Sequence, residues 1–274
     1  MSVRRRALYS QLAAYYDVIY WWKDYEREVD FLVKVFRRHG VRGRRVLEVA
    51  CGTGSHTKIL VSRGYEVTGV DISEDVLKIA RKKVGRRAEF IRGDMRDLNA
   101  VVEGEYDAVV CLFSAISYNT TMADLRKTLL GFRSHVKESG VVVFDTHFTK
   151  VGFVDGYRDE DVFDDGRVIG ARLSTSKREG DVGELSFTYL IKDGRKVVVL
   201  RNDVHRLGLF DPEDFQKTMR DVGFAKTEVF ADWTVRKKRE GSMFRDSVFV
   251  GSKVASPRIG GSDAVVDRRL TKPG

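Results

Sequence analysis

The sequence predicts a doubly wound α/β fold, with a mostly parallel sheet of seven strands and an antiparallel β insertion. Three observations lead to this prediction. From Arg44 onward, short apolar runs of strand type alternate with segments of helical period, which is typical of a parallel sheet covered by helices. The first run ends at a glycine pair, Gly52 and Gly54, which lets the chain turn sharply into a helix. Between residues 150 and 208 the helical period disappears and β-rich runs replace it.

We expect five segments along the 274 residues. Residues 1–43 contain two helical patterns and would form an N-terminal lid or substrate cap. Residues 44–149 hold the first strand–helix units, and residues 209–254 return to that pattern after the insertion at 150–208. Residues 255–274 carry Pro, Gly, Ser and charged residues without a period, so we expect a disordered tail there.

The apolar runs predict seven strands, and the periodic segments between them predict the helices. The strands are expected at Val46 to Ala50, Glu66 to Asp71, Ala88 to Arg92, Tyr106 to Phe113, Val141 to Asp145, Thr227 to Phe230 and Ser247 to Val254. Two helices are expected between about residues 7 and 39, and others behind Gly54, after Ser73, over Ala123 to Lys137 and from Pro212. Proline suits the first position of a helix, which supports the last of these.

The insertion has the pattern of antiparallel hairpins. Its β-rich runs are Val168 to Thr175, Leu185 to Ile191 and Lys196 to Leu207. Asp193-Gly194 lies between the last two runs, and Asp-Gly favours the tight turn of a β-hairpin. An insertion of this kind would cover an active site, form a homodimer, or do both.

The chain is basic, with a net charge of +9. A basic chain suits acidic partners such as nucleic acid, phosphorylated small molecules or anionic lipid. The basic residues are scattered over several helices and form no single stripe with interleaved aromatics, which favours an ordinary solvated surface over nucleic-acid binding. No apolar run is long enough to span a membrane, so no membrane association is expected.

The two cysteines bear on the cellular location. Cys51 and Cys111 fall at the ends of predicted strands and do not form a disulfide framework, so a reducing cytoplasm is the simpler interpretation. The basic start of the chain has no apolar signal region behind it, so we expect no secretion signal. No His, Cys and acidic residues cluster at metal-ligand spacing, so no metal site is predicted.

The turn after the first strand is the strongest indication of a ligand. Gly52 and Gly54 would let a ligand approach the bare backbone, and the following helix would point free N–H groups at it. Doubly wound sheets hold adenosine-containing cofactors in this way. A dinucleotide would call for a third glycine, which the run from Gly52 to Thr57 lacks. The same glycine pair can also form a tight turn without a ligand. The residues that flank it distinguish these two interpretations.

Two acids follow the ends of the next strands. Asp71, with Ile72 beside it, ends strand two near the spacing at which such folds place an acid on ribose hydroxyls. Asp94 follows strand three, where a carboxylate can accept the exocyclic amine of adenine and Met95 can lie on the base. Either acid alone could be a helix cap. Together with Glu48 and the glycine turn, they converge on the sheet edge where open α/β folds bind ligands.

The motif Glu-x-x-x-Gly-x-Gly from Glu48 to Gly54 resembles the first motif of the class I S-adenosylmethionine-dependent methyltransferases. The chain also resembles the N-methyltransferases that act on nucleotide-linked amino sugars in antibiotic deoxysugar pathways. The matching segments are Lys23-Asp24-Tyr25, Val49 to Gly54, Gly93 to Asp97, Cys111 to Ile116, Arg178 to Gly180, Tyr189-Leu190 and His205 to Phe210. The resemblance covers about residues 8–232. It implies S-adenosyl-L-methionine (SAM) as cofactor, S-adenosyl-L-homocysteine as product, and residues 44–149 as the SAM-binding core.

The resemblance also implies roles for individual residues. The expected cofactor-binding residues are Tyr25, Glu48, Ala50, Gly52, Gly54, Asp71, Ile72, Asp94, Met95 and Phe113, with Phe113 near the methionine part. In the resembled family a tyrosine near the N-terminus and a histidine after strand four face the amine, and the matching positions are Tyr9 and Tyr118. Tyr118 is a departure, because a tyrosine orients an amine but is a poor base near neutral pH. A second departure is His147 after strand five, a candidate base.

The expected function is therefore methyl transfer from SAM to a small molecule. The expected acceptor is an amine, such as that of a nucleotide-linked amino sugar. One alternative keeps the fold but changes the acceptor to a hydroxyl or an RNA. Another alternative is a binding module that keeps the fold without catalysis. His205 is expected to be structural or to line the pocket.

Overall fold

The computed structural model describes residues 6–234 and 247–253, which form two β-sheets. The strands in chain order are β1 (Arg45–Val49), β2 (Glu66–Asp71), β3 (Ala88–Arg92), β4 (Tyr106–Cys111), β5 (Val136–Thr146), β6 (Arg158–Asp164), β7 (Val168–Glu179), β8 (Val182–Asp193), β9 (Lys196–Gly208), β10 (Lys226–Ala231) and β11 (Ser247–Ser252). The seven-stranded sheet has the order β10-β11-β5-β4-β1-β2-β3, in which β11 is antiparallel to both of its neighbours and the other pairs are parallel. The predicted doubly wound, mostly parallel sheet is confirmed.

Helices cover both faces of this sheet. They are α2 (Tyr25–Arg38), α3 (Ser55–Ser62), α4 (Glu74–Val84), α5 (Met122–His135) and α6 (Pro212–Asp221), whereas the single turn α1 (Tyr16–Ile19) packs with the insertion. Phe132 of α5 and Phe215 of α6 belong to the hydrophobic cluster on one face, and Leu32 of α2 belongs to the cluster on the other. Every residue of β4 is buried, because a central parallel strand is covered on both faces.

The strand order reverses between β1 and β4. From β1 the chain continues outward to β2 and β3, whereas β4 and β5 lie on the opposite side of β1. In open α/β sheets, the crevice at the carboxyl ends of the strands at such a point is where ligands bind. The glycine turn follows β1 directly and therefore lies in this crevice.

The insertion is a four-stranded antiparallel sheet in the order β6-β7-β8-β9. The predicted hairpin is present, since β8 ends at Asp193, β9 begins at Lys196, and Gly194 adopts a φ of +59°. The sequence prediction missed β6, whose acidic run from Arg158 to Asp164 lacks the apolar pattern used to recognise strands. One face of the sheet packs Phe163, Phe187 and Tyr189 against the N-terminal turns.

The first predicted helix is wrong. Residues 7–19 form two short 3₁₀ turns, Ala7–Tyr9 and Ala13–Tyr15, followed by the single turn of α1. The physical reason is tertiary, because the segment packs on the insertion through a hydrophobic cluster and its start is held by Asp203 of β9, whose carboxylate accepts the N–H groups of Ala7 and Leu8 at 2.8 Å each. Leu8, Leu12 and Ile19 are still buried, in the cluster with the insertion. The tail expected at 255–274 lies outside the described residues.

Candidate active site

A cavity of about 340 Å³ lies at the carboxyl ends of the central strands. Its size is within the range of small-molecule pockets, roughly 300–1,000 Å³. It is lined by eight of the residues predicted to bind the cofactor, namely Tyr25, Ala50, Gly52, Asp71, Ile72, Asp94, Met95 and Phe113. Tyr9 and Tyr118, predicted for the acceptor side, line the same cavity, whereas Glu48, Gly54 and His147 are not among its lining residues. Most of the predicted residues are thus brought together in one place.

The two glycines of the turn have different environments. Gly52 lines the cavity with a φ of +56°, and a Cβ atom added to it would meet no protein atom within 4 Å. Gly54 has a φ of +76°, and its Cβ would lie 3.1 Å from the Cβ atom of Ala80 on α4. Gly54 therefore allows close helix packing, and only Gly52 presents bare backbone to the cavity.

Asp71 holds the glycine turn from the end of β2. Its Oδ2 atom accepts a hydrogen bond from the Gly52 N–H at 3.0 Å, and its Oδ1 atom accepts one from the Ser73 N–H at 2.9 Å. Burial raises the pKa of the Asp71 carboxyl, and these backbone N–H groups offset part of that effect. Each oxygen keeps a second lone pair, which can accept a hydrogen bond from a hydroxyl group of a ligand in the cavity.

Asp94 is paired with Arg96, a residue that the sequence prediction did not include. The guanidinium donates from Nε to Asp94 Oδ1 at 2.9 Å and from Nη2 to Oδ2 at 2.6 Å. Burial alone would raise the pKa of Asp94, but the Arg96 side chain and its backbone N–H lower it below the ordinary value. The carboxylate is therefore a charged, fixed acceptor at the cavity wall beside Met95.

Glu48 lies behind the glycine turn and not in the cavity wall. It is 2% exposed, and it accepts a hydrogen bond from the Thr57 hydroxyl of α3. His56 does line the cavity, and its Nε2 atom lies 2.6 Å from Glu28 Oε2. Burial raises the pKa of Glu48, and the neighbouring His56 offsets part of that rise. Its position gives Glu48 the role of fixing α3 behind the turn.

Residues 6–24, which we call the N-terminal cap, are attached to the rim of the cavity. Asp17 Oδ1 accepts a hydrogen bond from the Thr53 hydroxyl at 2.7 Å, and Lys83 Nζ lies 2.8 Å from Asp17 Oδ2. The Ser73 hydroxyl donates to the carbonyl of Tyr9 at 2.5 Å. The cap is thus joined to the glycine turn and to the segment that follows β2.

Phe113 lies where the cap meets the end of β4. Its φ of +60° is unusual for a residue with a side chain, and such conformations concentrate at functional sites. The Tyr20 ring packs edge-on against it with centroids 5.0 Å apart, and Lys23 Nζ lies 4.1 Å from its ring centroid. The aromatic side chain therefore forms the wall between cavity and cap.

The two acceptor-side tyrosines belong to a chain of hydrogen bonds. The hydroxyls of Tyr9 and Tyr118 lie 2.8 Å apart, and the Tyr118 hydroxyl lies 2.6 Å from Nδ1 of His205. His205 Nε2 lies 3.2 Å from Asp203 Oδ2. Burial raises the pKa of both phenols and lowers that of His205, so all three groups are neutral near neutral pH.

His147 is not one of the residues that line the cavity, although it contacts Ser114, which lies between the lining residues Phe113 and Ala115. Its Nδ1 atom is 3.0 Å from the Ser114 hydroxyl, and its ring packs on Phe148 with centroids 4.0 Å apart. The role of His147 as a base therefore stays a prediction.

Two arginines that the sequence analysis did not single out also belong to the cavity wall. Arg6 and Arg206 line it, and the Arg6 guanidinium lies 4.1 Å from the Tyr118 ring centroid. No local pattern marks these arginines, because one comes from the cap and the other from β9. Asp203 and His205 did carry a signal, since residues two apart on a strand share a face.

The described residues, 6–234 and 247–253, contain no group of three or more His, Cys, Asp or Glu side chains placed to hold a metal ion. Within the same residues, no helix is long and apolar enough to cross a membrane. Positive charge lines the cavity at Arg6, Arg96 and Arg206. The site is therefore suited to an anionic or polar organic ligand.

The cavity lies at the reversal of the sheet order, between the open glycine backbone after β1 and the acids after β2 and β3. This arrangement is the cofactor cleft of a SAM-dependent methyltransferase. A family model described as "Methyltransferase domain" matches residues 46–140, a stretch that begins in β1 and ends in β5. Fold, cleft and family match together define the class as methyl-transferring enzymes that use SAM.

Similarity to known proteins extends beyond this core. The chain is 32% identical to the dTDP-3-amino-3,6-dideoxy-alpha-D-glucopyranose N,N-dimethyltransferase of Streptomyces fradiae, over 78% of this chain and 84% of that protein. It is 32% identical to the corresponding 3,4,6-trideoxy enzyme of Streptomyces venezuelae, over 76% and 87%. The sugar N-methyltransferase KedS8 of Streptoalloteichus superimposes with a TM-score of 0.75 at 28% identity, over 92% of this chain and 96% of that one. The chain belongs to the SAM-dependent methyltransferase family of these amino-sugar enzymes.

Proposed function

We propose that the protein transfers a methyl group from SAM to the amine of a nucleotide-linked amino sugar. The observation that carries this proposal is the 32% identity, across 84% of its length, to a dTDP-amino-sugar N,N-dimethyltransferase. The polar chemistry of the cavity supports it. Arg6 and Arg206 provide positive charge for a diphosphate, and the paired hydroxyls of Tyr9 and Tyr118 provide hydrogen-bonding partners for an amine.

The fit of the cofactor follows from the carboxylates and the open glycine backbone. SAM, when bound, supplies an activated methyl group together with its own thioether leaving group. We assign the ribose hydroxyls to Asp71, whose oxygens keep free lone pairs, and the adenine to Asp94 and Met95. Phe113 and Tyr25 would contact the methionine part. The protein's own contribution is to align the acceptor and exclude water.

The N-terminal cap would perform the second of these tasks. Its contacts run to Thr53 of the glycine turn and to Ser73 beyond β2, so it crosses the rim of the cofactor cleft. Tyr9 belongs to the same segment and faces the cavity. Closing the cap would therefore shield the methyl group and bring an acceptor-side hydroxyl into place in one movement.

Transfer of label from methyl-labelled SAM tests the proposal. The panel would contain dTDP-amino sugars, the matching dTDP-sugars with a hydroxyl in place of the amine, simple amines and total RNA. Label in an amino sugar is expected; label only in the hydroxyl sugar, a simple amine or RNA would contradict the proposed acceptor. Asp71→Ala should abolish SAM binding in calorimetry, whereas Asp75→Ala, on the exposed start of α4, should leave it unchanged.

The outer face of the insertion supports a homodimer. Val162, Ala171, Leu190 and Val199 are direct neighbours across β6, β7, β8 and β9, so they form one row. Val162 is 68% exposed, Leu190 52% and Val199 55%. An apolar row across a whole sheet is characteristic of an interaction surface. We propose that a second copy of the chain covers it, because the flanking charges are self-complementary.

The complementarity follows from the strand order. Glu160 lies on β6 opposite Leu173, which lies opposite Thr188 of β8. Arg201 follows Leu200 on β9, at the irregular step beside Thr188. When two such sheets stack about a twofold axis parallel to the strands, the β6 edge of one faces the β9 edge of the other. Glu160 of one copy then faces the partner's Arg201, twice in the dimer.

We also propose a cytoplasmic location. Cys51 and Cys111 are buried and free, and burial raises the pKa of both thiols well above the ordinary value. Unpaired cysteines of this kind persist most readily in a reducing compartment. Fractionation of native cells followed by immunodetection tests this location, and recovery outside the cytoplasmic fraction would contradict it.

A further inference from the structure

The hydrogen-bond chain that ends at Tyr9 has one direction, which the chemistry of its members determines. An ionised carboxylate can only accept hydrogen bonds. The Nε2 atom of His205 must therefore carry a hydrogen and donate it to the Asp203 carboxylate. Burial outweighs the attraction of Asp203 and keeps the pKa of His205 below its ordinary value, so the ring is neutral. A neutral ring with hydrogen on Nε2 leaves Nδ1 as an acceptor.

The direction then passes to the phenols. Because Nδ1 accepts, the Tyr118 hydroxyl at 2.6 Å must donate to it. The Tyr118 oxygen can then accept the hydroxyl hydrogen of Tyr9 at 2.8 Å. The Tyr9 oxygen keeps a lone pair for a further partner, and Tyr9 lines the cavity. Every hydroxyl hydrogen of the chain therefore points toward His205, and Tyr9 can accept a hydrogen bond from a ligand in the cavity.

We infer that Asp203 and His205 are positioning residues that make Tyr9 a hydrogen-bond acceptor and give the substrate's proton a route to His205. The inference rests on the proposed amine acceptor. A primary or secondary amine would donate an N–H to Tyr9, which directs its lone pair toward the methyl group. A tertiary amine has no such hydrogen, so the acceptor at Tyr9 also favours primary and secondary amines as substrates.

The proton route follows the same bonds. Methyl transfer forms an N–C bond as the S–C bond of SAM breaks and its sulfonium leaves as a neutral thioether, and the nitrogen becomes an ammonium with one proton too many. That proton passes to the Tyr9 oxygen as the Tyr9 hydrogen passes to Tyr118, and the Tyr118 hydrogen passes to Nδ1 of His205. The neutral amine and both phenols are restored, and the result is an imidazolium beside the Asp203 carboxylate. No proton is gained or lost overall, and His205 later releases its proton to solvent.

The surroundings of His205 determine how it titrates. The groups that face it are Asp203 on its own strand, the phenols of Tyr9 and Tyr118, Arg6 of the cap and Arg172 of β7. Arg172 reaches the Phe187 ring, which packs edge-on against His205 with centroids 5.1 Å apart. Asp203 favours the imidazolium and the two arginines oppose it, so the ring accepts a proton but does not retain it.

Nuclear magnetic resonance of the ring nitrogens tests the direction without any substrate. Protein with ¹⁵N-labelled histidine would be compared with His205→Asn, whose missing resonances identify the residue. We expect His205 as the Nε2–H tautomer near neutral pH, and Tyr118→Phe should shift its Nδ1 signal by removing the donor. A ring with hydrogen on Nδ1, or charged near neutral pH, would overturn the inference even if the proposed acceptor is correct.

Kinetics with the acceptor found in the labelling panel test the proton route. His205→Asn keeps an oxygen acceptor near the Nδ1 position for Tyr118 but cannot take up a proton. We expect about a 100-fold loss in kcat, at the lower end of general acid–base effects, with SAM affinity unchanged. In the wild type kcat should fall in acid as His205 becomes charged, and this limb should disappear in the variant. An unchanged kcat and pH profile would overturn the proton route.

The ratio of monomethyl to dimethyl product separates a role of His205 in proton transfer from a purely structural role. Each further methylation of the same nitrogen requires removal of a proton, so His205→Asn should release a larger share of monomethyl amine than the wild type does. A wild type that methylates no amino sugar would refute the proposed function, while the nitrogen resonances would still report on the direction of the chain. A variant with the wild-type ratio of mono- to dimethyl product would contradict the route.

Discussion

The glycine turn shows how two residues of one type can serve different purposes. Gly52 lies open toward the cavity, whereas Gly54 lies against Ala80 of α4. Both have positive φ angles, so a side chain at either position costs about 1–2 kcal/mol of backbone strain. Only at Gly54 does an added methyl group also meet another residue.

Paired alanine variants test this difference. Gly52→Ala should weaken SAM binding about tenfold or more, because its methyl group enters the space of the cofactor, while the free energy of unfolding falls by only about 1–2 kcal/mol. Gly54→Ala should lose about 2–4 kcal/mol of stability, since strain and overpacking add. Calorimetry and denaturant unfolding measure the two quantities. Equal effects of the two variants on SAM affinity would contradict the assignment.

Asp71 and Asp94 illustrate what sequence can predict at this scale. Both follow the ends of parallel strands, and the carboxyl ends of such strands meet at one edge, so their convergence followed from the pattern. The pairing of Asp94 with Arg96 and the position of Glu48 behind the turn did not follow. Those outcomes depend on side-chain directions, which the pattern of strands and helices leaves open.

The N-terminal cap is held by a hydrophobic cluster that it shares with the insertion and by buried polar contacts. Asp203 accepts the N–H groups of Ala7 and Leu8, and Asp17 contacts Thr53 and Lys83. Burial alone would raise the pKa of Asp203, but the His205 ring and the two backbone N–H groups lower it below the ordinary value. The carboxylate therefore stabilises the cap at neutral pH, and that stabilisation is lost as the pH falls through the lowered pKa.

Hydrogen exchange of the cap amides tests this dependence. Because the folded-state pKa of Asp203 is lowered, protection of residues 7–20 should be complete above the unfolded-state value and should decline in acid. Asp203→Ala should reduce protection already at neutral pH. The free energy of opening of the cap should fall by about 2 kcal/mol, because three donors lose their acceptor. Asp203→Asn, which keeps an oxygen acceptor, should lose less. Protection that is indifferent to acid in the wild type would contradict the prediction.

The cap is also the element whose predicted conformation differs most from the structure. Leu8, Leu12 and Ile19 have helical spacing, and all three are buried as that spacing implies. The backbone nevertheless forms separate turns, which pack these side chains against the insertion, and Asp203, nearly two hundred residues away, holds the start of the segment. A periodicity reports which residues are buried, but long-range contacts determine the conformation that buries them. The strands of the core were predicted far better, because strands covered on both faces have continuous apolar runs that are visible in the sequence.

The whole molecule consists of a methyltransferase core, an added sheet and a cap that contacts both. In the proposed dimer the added sheets stack, and the centre of the interface is the row that contains Leu190. Leu190→Lys should raise the dimer dissociation constant at least tenfold by burying a charge there. Val151→Lys, at an apolar position that is 76% exposed outside the sheet, is the control. Sedimentation velocity would show monomers in the first variant only.

The proposed axis makes a separate prediction at the same scale. Glu160→Arg and Arg201→Glu should each weaken the dimer, because like charges then face each other across the interface. The double variant should recover most of the loss, as the charges are exchanged and not removed. If the double variant is weaker than both single variants, the two sheets stack about a different axis.

The aromatic side chains of the cap have a practical consequence. The chain has three tryptophans, of which Trp21 and Trp22 are 63% and 51% exposed on the cap, while Trp233 is 8% exposed in the core. Trp22 lies edge-on to Phe113, with ring centroids 6.4 Å apart. The indole emission of the unlabelled enzyme should therefore respond to movements of this segment, while the core indole gives a steady background. Stopped-flow fluorescence could then follow how fast the cleft opens between rounds of turnover.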